Sequence, residues 1–202
     1  MPDLALEARL RTAGYSAPAG VDEAGRGPLA GPLVVAAVIL PEHWRSEVAL
    51  DDSKKLSEPQ RNVAFDVIRR SAVSWGVAVV APEEIDRVNI LQATLTGMCR
   101  AVAQLAPSAD YALVDGNQVP VGMQVPVEAV VKGDQKSLSI AAASILAKVL
   151  RDRIMVAYHK HYPQWGFDGH KGYGTKAHLK MMRDQGPSPI HRLSFRPKSL
   201  QG

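Results

Sequence analysis

Gly20-Val21-Asp22-Glu23-Ala24-Gly25-Arg26-Gly27-Pro28-Leu29-Ala30-Gly31-Pro32 runs directly into Leu33-Val34-Val35-Ala36-Ala37-Val38-Ile39-Leu40 and stops at Pro41. The unbroken apolar run from Leu33 to Leu40 reads as a buried strand. Val21 to Glu23 reads as a strand entering a turn punctuated by Gly25, Gly27, Pro28, Gly31 and Pro32. A strand, a turn and a strand therefore open the fold, and two adjacent acids stand where the first strand ends.

Working outward, Leu4 to Leu10 has apolar residues at helical spacing, closed by Gly14 and by Ala17-Pro18-Ala19-Gly20. After the Leu33 strand, Asp51 to Lys55 is polar and looplike, and Ser57 with Gln60 forms a capping box opening a helix through Val63, Val67 and Ile68. Trp75 to Val80 is the next strand, and a long helical stretch runs from Pro82 to about Leu105 with a break expected near Asn89. Tyr111 to Asp115 is a short strand ended by Gly116-Asn117, which puts Asp115 at its carboxyl end. Val125 to Val131 is a further strand, closed by Lys132-Gly133-Asp134. Ser137 to about Tyr158 is a helix whose small residues Ala141, Ala142, Ala143 and Ser144 permit close packing on a sheet. A last helix spans Lys176 to Arg183, ahead of Gly186-Pro187-Ser188-Pro189. The alternation argues for a single α/β domain over 1–202, with about 160–202 as a helical and looplike C-terminal part.

Hydrophobic residues make up 46% and charged residues 22% of the 202, which excludes whole-chain disorder and supports a sizeable core. Aromatics are only 5%, so that core is mainly aliphatic. The Leu33 to Leu40 run is far shorter than the roughly 20 residues of a membrane span, and no basic start precedes an apolar secretory stretch. A cytoplasmic protein is expected, and nothing demands more than a monomer. Cys99 is the sole cysteine, which excludes an internal disulfide and a multi-thiolate zinc site and leaves it as a small core residue. Lys and Arg number 24 against 20 Asp and Glu, a balance of +4, and basic residues from Arg151 and Arg153 to Arg192 and Lys198 crowd the last quarter. That distribution suits an anionic partner such as nucleic acid.

Four acids stand out because each interrupts or ends apolar sequence: Asp22, Glu23, Asp115 and Asp134. Adjacent strand residues face opposite ways, so Asp22 and Glu23 converge only if the strand twists or ends there, as Gly25 and Gly27 permit. If the two acid-bearing strands lie side by side, Asp22 and Asp115 share one face. Carboxylates so gathered repel unless cations compensate, and hard oxygen donors suit Mg²⁺ or Mn²⁺, the arrangement of metal-assisted phosphoryl chemistry. The plainer reading is that these are separate turn residues and helix caps, with Asp134 near the start of the long helix. Asp51, Asp52, Asp66, Glu83, Glu84, Asp86, Asp110, Asp152 and Asp184 lie in polar loops or on helical faces and are expected to be solvated.

Gly25-Arg26-Gly27 would let backbone amides approach a phosphate or sugar, but it lacks the Lys-Ser/Thr ending of a nucleotide-binding loop and the full dinucleotide fingerprint. Tyr173, in Gly172-Tyr173-Gly174-Thr175 and flanked by His170, Lys171, Lys176 and His178, suits packing on a sugar or base, or else sits partly buried in a solvated loop. Lys54 and Lys55 are phosphate contacts or a charged helix approach. His159 and His161, two apart at a helix end, do not face one metal together.

These stretches together resemble bacterial type 2 ribonuclease H, ribonuclease HII. The likeness rests on residues 20–32, Asp52-Ser53-Lys54-Lys55-Leu56, Leu113-Val114-Asp115-Gly116-Asn117, Lys132-Gly133-Asp134, Ser139 to Asp152, Gly172-Tyr173-Gly174-Thr175 and His191-Arg192-Leu193-Ser194-Phe195. The resemblance implies a ribonuclease-H-like α/β fold, a central mixed sheet flanked by helices with a helical C-terminal part. It implies an endonuclease that cuts RNA paired or joined to DNA, including 5′ of single ribonucleotides, and leaves 3′-OH and 5′-phosphate ends by two-metal-ion catalysis. By the same likeness Asp22, Glu23, Asp115 and Asp134 are the catalytic, metal-binding carboxylates for Mn²⁺ or Mg²⁺. Gly25, Arg26 and Gly27 are the turn that reads the ribose 2′-OH, Tyr173 packs on the adjoining deoxyribose, and Lys54 joins them at the substrate. No extra N-terminal substrate-binding domain of the type 3 enzymes is expected, and no clear clamp-binding tail follows Phe195. Two readings compete: another ribonuclease-H-like nuclease, and a non-catalytic nucleic-acid-binding module.

Overall fold

The structure, a computed structural model of the chain, describes residues 1–45, 48, 50, 53 and 56–195. Five strands, β1 (Pro18–Ala24), β2 (Leu33–Ile39), β3 (Ser74–Val80), β4 (Tyr111–Asp115) and β5 (Val127–Val130), form one sheet in the order β3-β2-β1-β4-β5. β1 pairs antiparallel with β2, and β2 with β3, whereas β1 pairs parallel with β4, and β4 with β5. The sheet is therefore mixed, and β1 lies at its centre. β5 is shorter than the Val125 to Val131 segment suggested.

Seven α-helices accompany it among the described residues: α1 (Ala5–Thr12), α2 (Glu58–Ser71), α3 (Pro82–Val88), α4 (Ile90–Ala103), α5 (Leu138–His161), α6 (Phe167–His170) and α7 (Lys176–Gln185). The capping box at α2 is present, with Ser57 and Gln60 each bonded to the other's backbone. The expected break separates α3 from α4 at Asn89, whose φ of 68° ends one helix while its side chain accepts the Leu91 and Gln92 amides at the start of the next.

Both faces of β2 are buried, which explains its continuous apolar sequence. Val21, Val35, Ala37 and Val114 look toward Met98 and Ala101 of α4, while Val34, Ala36 and Val38 look toward Phe65 of α2 and Ala142 and Leu146 of α5. α5 packs against the central strand without a spacer. A Cβ at Gly20 would stand 2.1 Å from the Ser139 carbonyl carbon, so only glycine allows the strand and the helix start to meet.

A third, smaller core joins the C-terminal part to the β1–β2 connection: Ala30 packs with Met155, Trp165, Phe167 and Ile190. Backbone bonds stitch the same junction, from Leu29 N–H to Gly172, from Gly31 N–H to Ile190 and from Arg192 N–H to Leu29. Nothing in the sequence marks this aromatic cluster, because Trp165 and Phe167 sit in a Gly-rich, polar stretch. Two acids assigned to solvent are structural fasteners. Asp110 accepts the Ser16 and Ala17 amides and the Ser16 hydroxyl, and Asp86 accepts the Leu193 and Ser194 amides and the Ser194 hydroxyl. Cys99 is half-buried on α4. Asp51, Asp52, Lys54 and Lys55 lie outside the described residues, as does everything after Phe195. No described helix is long and apolar enough to cross a membrane.

Candidate active site

The parallel pairing of β1 with β4 decides the geometry. Gly20 lies opposite Leu113 and Val21 opposite Val114, so Asp22 and Asp115 follow as neighbours one step further along the sheet. Alternation places both on the face covered by α5, together with Gly20 and Leu113. The sequence allowed that convergence, and the register produces it. Asp134 approaches from the 3₁₀ turn Gly133–Gln135 that leads into α5, and Ser137, not Asp134, caps the helix by accepting the Ile140 amide. Glu23 faces the other side of β1 but reaches the same opening because the strand ends at Ala24. All four acids line one cavity of about 260 Å³, with Gly25, Arg26, Gly27, Ser144, Lys148 and Tyr173 around it.

Two of the carboxylates are held by backbone amides. Asp22 Oδ1 accepts the Glu23 amide at 2.7 Å and Asp115 Oδ1 the Gly133 amide at 2.6 Å. A Cβ at Gly133 would lie 2.6 Å from Ile140 Cδ1 and 3.2 Å from Asp115 Oδ1, so a side chain there crowds both. Burial raises the Asp22 carboxyl well above the usual carboxylate range, and the charges of Glu23 and Asp115 add to the rise. Among the described residues no three His, Cys, Asp or Glu side chains stand close enough to share one ion. The donor set nonetheless fits a hard divalent cation: it is all oxygen, its repulsion falls on the buried Asp22, and a cation between the acids removes that repulsion.

The Gly25-Arg26-Gly27 turn lines the same cavity. Gly25 has a φ of +102°, and a Cβ on it would lie 2.1 Å from Arg151 Nε. At Gly27 the nearest atom to an added Cβ is Tyr173 Cε1 at 4.0 Å, so the absent side chain leaves open space beside the edge of the Tyr173 ring. Arg26 reaches back to Glu23 at 3.4 Å. Tyr173 is 43% exposed, with Lys148 Nζ and the Arg151 guanidinium 5.9 and 5.8 Å from its ring centre. Thus Asp22, Glu23, Asp115, Asp134, Gly25, Arg26, Gly27 and Tyr173 come together, while Lys54 lies outside the described residues.

Several residues that build the site were not singled out from the sequence. Arg151 and Arg192 were counted with the basic residues facing an anionic partner, yet both are buried. Arg151 donates to the Ala30, Pro32 and Lys171 carbonyls, and Arg192 to those of Gly25, Arg26, Pro28 and Gly31. Behind Tyr173 stands a column of imidazoles in which His178 bonds the Tyr173 carbonyl at 2.9 Å and the His191 ring at 2.9 Å. At the start of α5, buried Glu7 of α1 accepts the Ser137 and Ser139 hydroxyls and the Ser139 amide, fixing the helix start that follows Asp134. The available signal for Arg151, His191 and Arg192 was their place inside family-like stretches; Glu7 carried none.

Comparison with known proteins follows the same residues. The family model for ribonuclease HII matches residues 19–198. Ribonuclease HII of Dechloromonas aromatica is 57% identical over 183 residues, which cover 90% of this chain and 92% of that protein. Ribonuclease HII of Syntrophotalea carbinolica is 51% identical over 193 residues, 96% of this chain and 91% of that protein. Among solved structures, ribonuclease H2 from Pyrococcus horikoshii has a TM-score of 0.75 at 28% identity, covering 89% of this chain and 94% of that one. The PCNA:RNase HII complex from Archaeoglobus fulgidus gives a TM-score of 0.76 at 28% identity, covering 92% and 98%. With its acid-bearing strands and its C-terminal segment inside one continuous match, the chain belongs to the ribonuclease HII family.

Proposed function

We propose that this protein is an endoribonuclease that hydrolyses the RNA strand of RNA–DNA hybrids and cuts on the 5′ side of single ribonucleotides in duplex DNA. It leaves 3′-OH and 5′-phosphate ends and serves ribonucleotide removal from DNA in the cytoplasm. The observation that carries this reading is the meeting of Asp22, Glu23, Asp115 and Asp134 in one cavity that the Gly25-Arg26-Gly27 turn and Tyr173 also line. The acids suit metal-assisted phosphate chemistry, and the turn and the Tyr173 ring suit a sugar.

In this reading Asp22, Glu23, Asp115 and Asp134 hold Mn²⁺ or Mg²⁺. Bound there, the metal supplies an activated water and offsets charge on the leaving oxygen. Gly25, Arg26 and Gly27 meet the ribose 2′-OH, the group that distinguishes RNA from DNA. Tyr173 packs on the neighbouring deoxyribose, Lys54 contacts a phosphate, and the C-terminal part from about residue 160 helps bind the duplex as part of a single catalytic domain. The protein acts as a monomer.

Asp22→Asn and Asp115→Asn test the assignment. Each is expected to lower cleavage by two orders of magnitude or more, since disturbing even the partners of metal ligands costs about 10–100-fold. Mn²⁺ binding measured by calorimetry weakens in parallel, and duplex binding in chelator stays within about twofold of wild type. Near-normal cutting by either variant contradicts the roles given to these acids. Duplex binding with no metal-dependent cut by the wild-type chain favours a non-catalytic module instead.

A further inference from the structure

The Gly25-Arg26-Gly27 turn has no secondary structure to shape it, yet four carbonyls in and beside it converge on one side chain. Arg192 donates to Gly25 O at 2.7 Å, Pro28 O at 2.9 Å, Gly31 O at 2.9 Å and Arg26 O at 3.1 Å. A trans peptide is planar, and its C=O and N–H point in opposite directions. Fixing the Gly25 carbonyl on Arg192 therefore turns the Arg26 N–H away from Arg192, and fixing the Arg26 carbonyl does the same to the Gly27 N–H. Neither amide donates to another described residue, and both residues line the cavity. The guanidinium converts an irregular loop into a pair of outward-facing donors.

Arg192 is itself held from outside. Asp86 of α3 accepts the Leu193 amide at 2.8 Å, the Ser194 amide at 3.0 Å and the Ser194 hydroxyl at 2.5 Å, immediately after Arg192 in the chain. On the other side the Arg192 amide bonds to Leu29 O at 2.8 Å. We propose that Arg192, seated by the Asp86 clasp, is the positioning residue that aims the Arg26 and Gly27 amides at the sugar. This rests on the turn reading the ribose, as set out above.

Lysine keeps the charge of Arg192 but not the planar fork that spans these carbonyls, so Arg192→Lys removes the geometry and retains the cation. Asp86→Ala loosens the seat from the surface without touching the turn. Asp110→Ala is the matched control, because Asp110 fastens two amides and a serine hydroxyl in the same way at the start of β1. The measurement is the affinity for a duplex with one ribonucleotide relative to an all-DNA duplex, in chelator, beside the melting temperature of each variant. Arg192→Lys and Asp86→Ala are expected to reduce the wild-type preference about tenfold, the scale of a misdirected hydrogen bond. All-DNA affinity stays within about twofold, and Asp110→Ala keeps the full preference at a comparable loss of stability.

A preference preserved in both Arg192→Lys and Asp86→Ala overturns the proposal. If Arg192→Lys does not fold, Asp86→Ala decides alone. If the wild-type chain shows no preference, the ribose-reading function fails, and backbone order parameters of Arg26 and Gly27 then decide the positioning role. In Asp86→Ala, a fall from the rigid range near 0.85 to below about 0.6 upholds it, and unchanged values overturn it.

Discussion

A methyl group added at Gly25 meets the Arg151 guanidinium at 2.1 Å and the Pro32 carbonyl at 2.8 Å on a backbone with φ +102°, whereas the same group at Gly27 meets only the edge of Tyr173 at 4.0 Å. One substitution type therefore separates fold from function. Gly25→Ala is expected to destabilise the protein by about 2 kcal/mol or more, from left-handed strain and overpacking. Gly27→Ala should leave the melting temperature nearly unchanged while reducing kcat/KM on a ribonucleotide-containing duplex at least about tenfold, since its methyl group occupies space beside the edge of Tyr173. Melting curves and cleavage kinetics of the two variants check this, and equal effects on both quantities contradict it. The four acids stood out in the sequence because each interrupts or follows apolar sequence, while their meeting was left open beside separate turn and cap roles. Arg151 and Arg192 were not, because an arginine in a polar stretch looks the same whether it faces water or backbone carbonyls; only the fold shows which.

The imidazole column between α6, α7 and the C-terminal segment is the element that steadies the Tyr173 loop. His191 Nδ1 faces the Ser188 amide at 2.7 Å and accepts from it, which leaves the proton on His191 Nε2 to bridge to His178 Nε2. His178 then donates from Nδ1 to the Tyr173 carbonyl. Burial pushes both His178 and His191 down to about 4, helped at His178 by the charge of His170 and at His191 by that of His178. Their pKa values are depressed below the unfolded value of about 6.5, so unfolding takes up protons as the pH falls. The stability that these neutral rings confer is present above pH about 6.5 and is lost as pH falls toward about 4. With each ring held near 4 against about 6.5, the loss is on the order of 3 kcal/mol per ring. Urea denaturation from pH 7 to 4.5 should show this loss in the wild type and a shallower one in His191→Gln. Identical slopes contradict the account. Helix and strand identities were largely readable at this scale, as Asn89 and the Ser57 capping box illustrate. Short α6 and its aromatic packing were not, because four residues carry no periodicity.

At the scale of the molecule, several separate pieces of chain meet at one cavity. Parallel pairing of β1 with β4 brings Asp22 beside Asp115, and α5 closes on them because Gly20 and the small residues Ala141 to Ser144 let it come near. The C-terminal segment returns across the β1–β2 connection and fixes the turn that lines the cavity with the acids. The sequence conveyed the alternation of strands and helices and thus the α/β class. It did not convey the strand order, because the β1–β4 register depends on contacts between residues 93 positions apart, nor the structural use made of Asp86 and Asp110, which look solvated in isolation. The most direct measurement is cleavage of an end-labelled DNA duplex carrying one ribonucleotide, beside an all-DNA control, with Mg²⁺, with Mn²⁺ and with chelator. A single metal-dependent cut on the 5′ side of the ribonucleotide, with the all-DNA duplex intact, is the predicted result; no cut, or equal cutting of both duplexes, contradicts it.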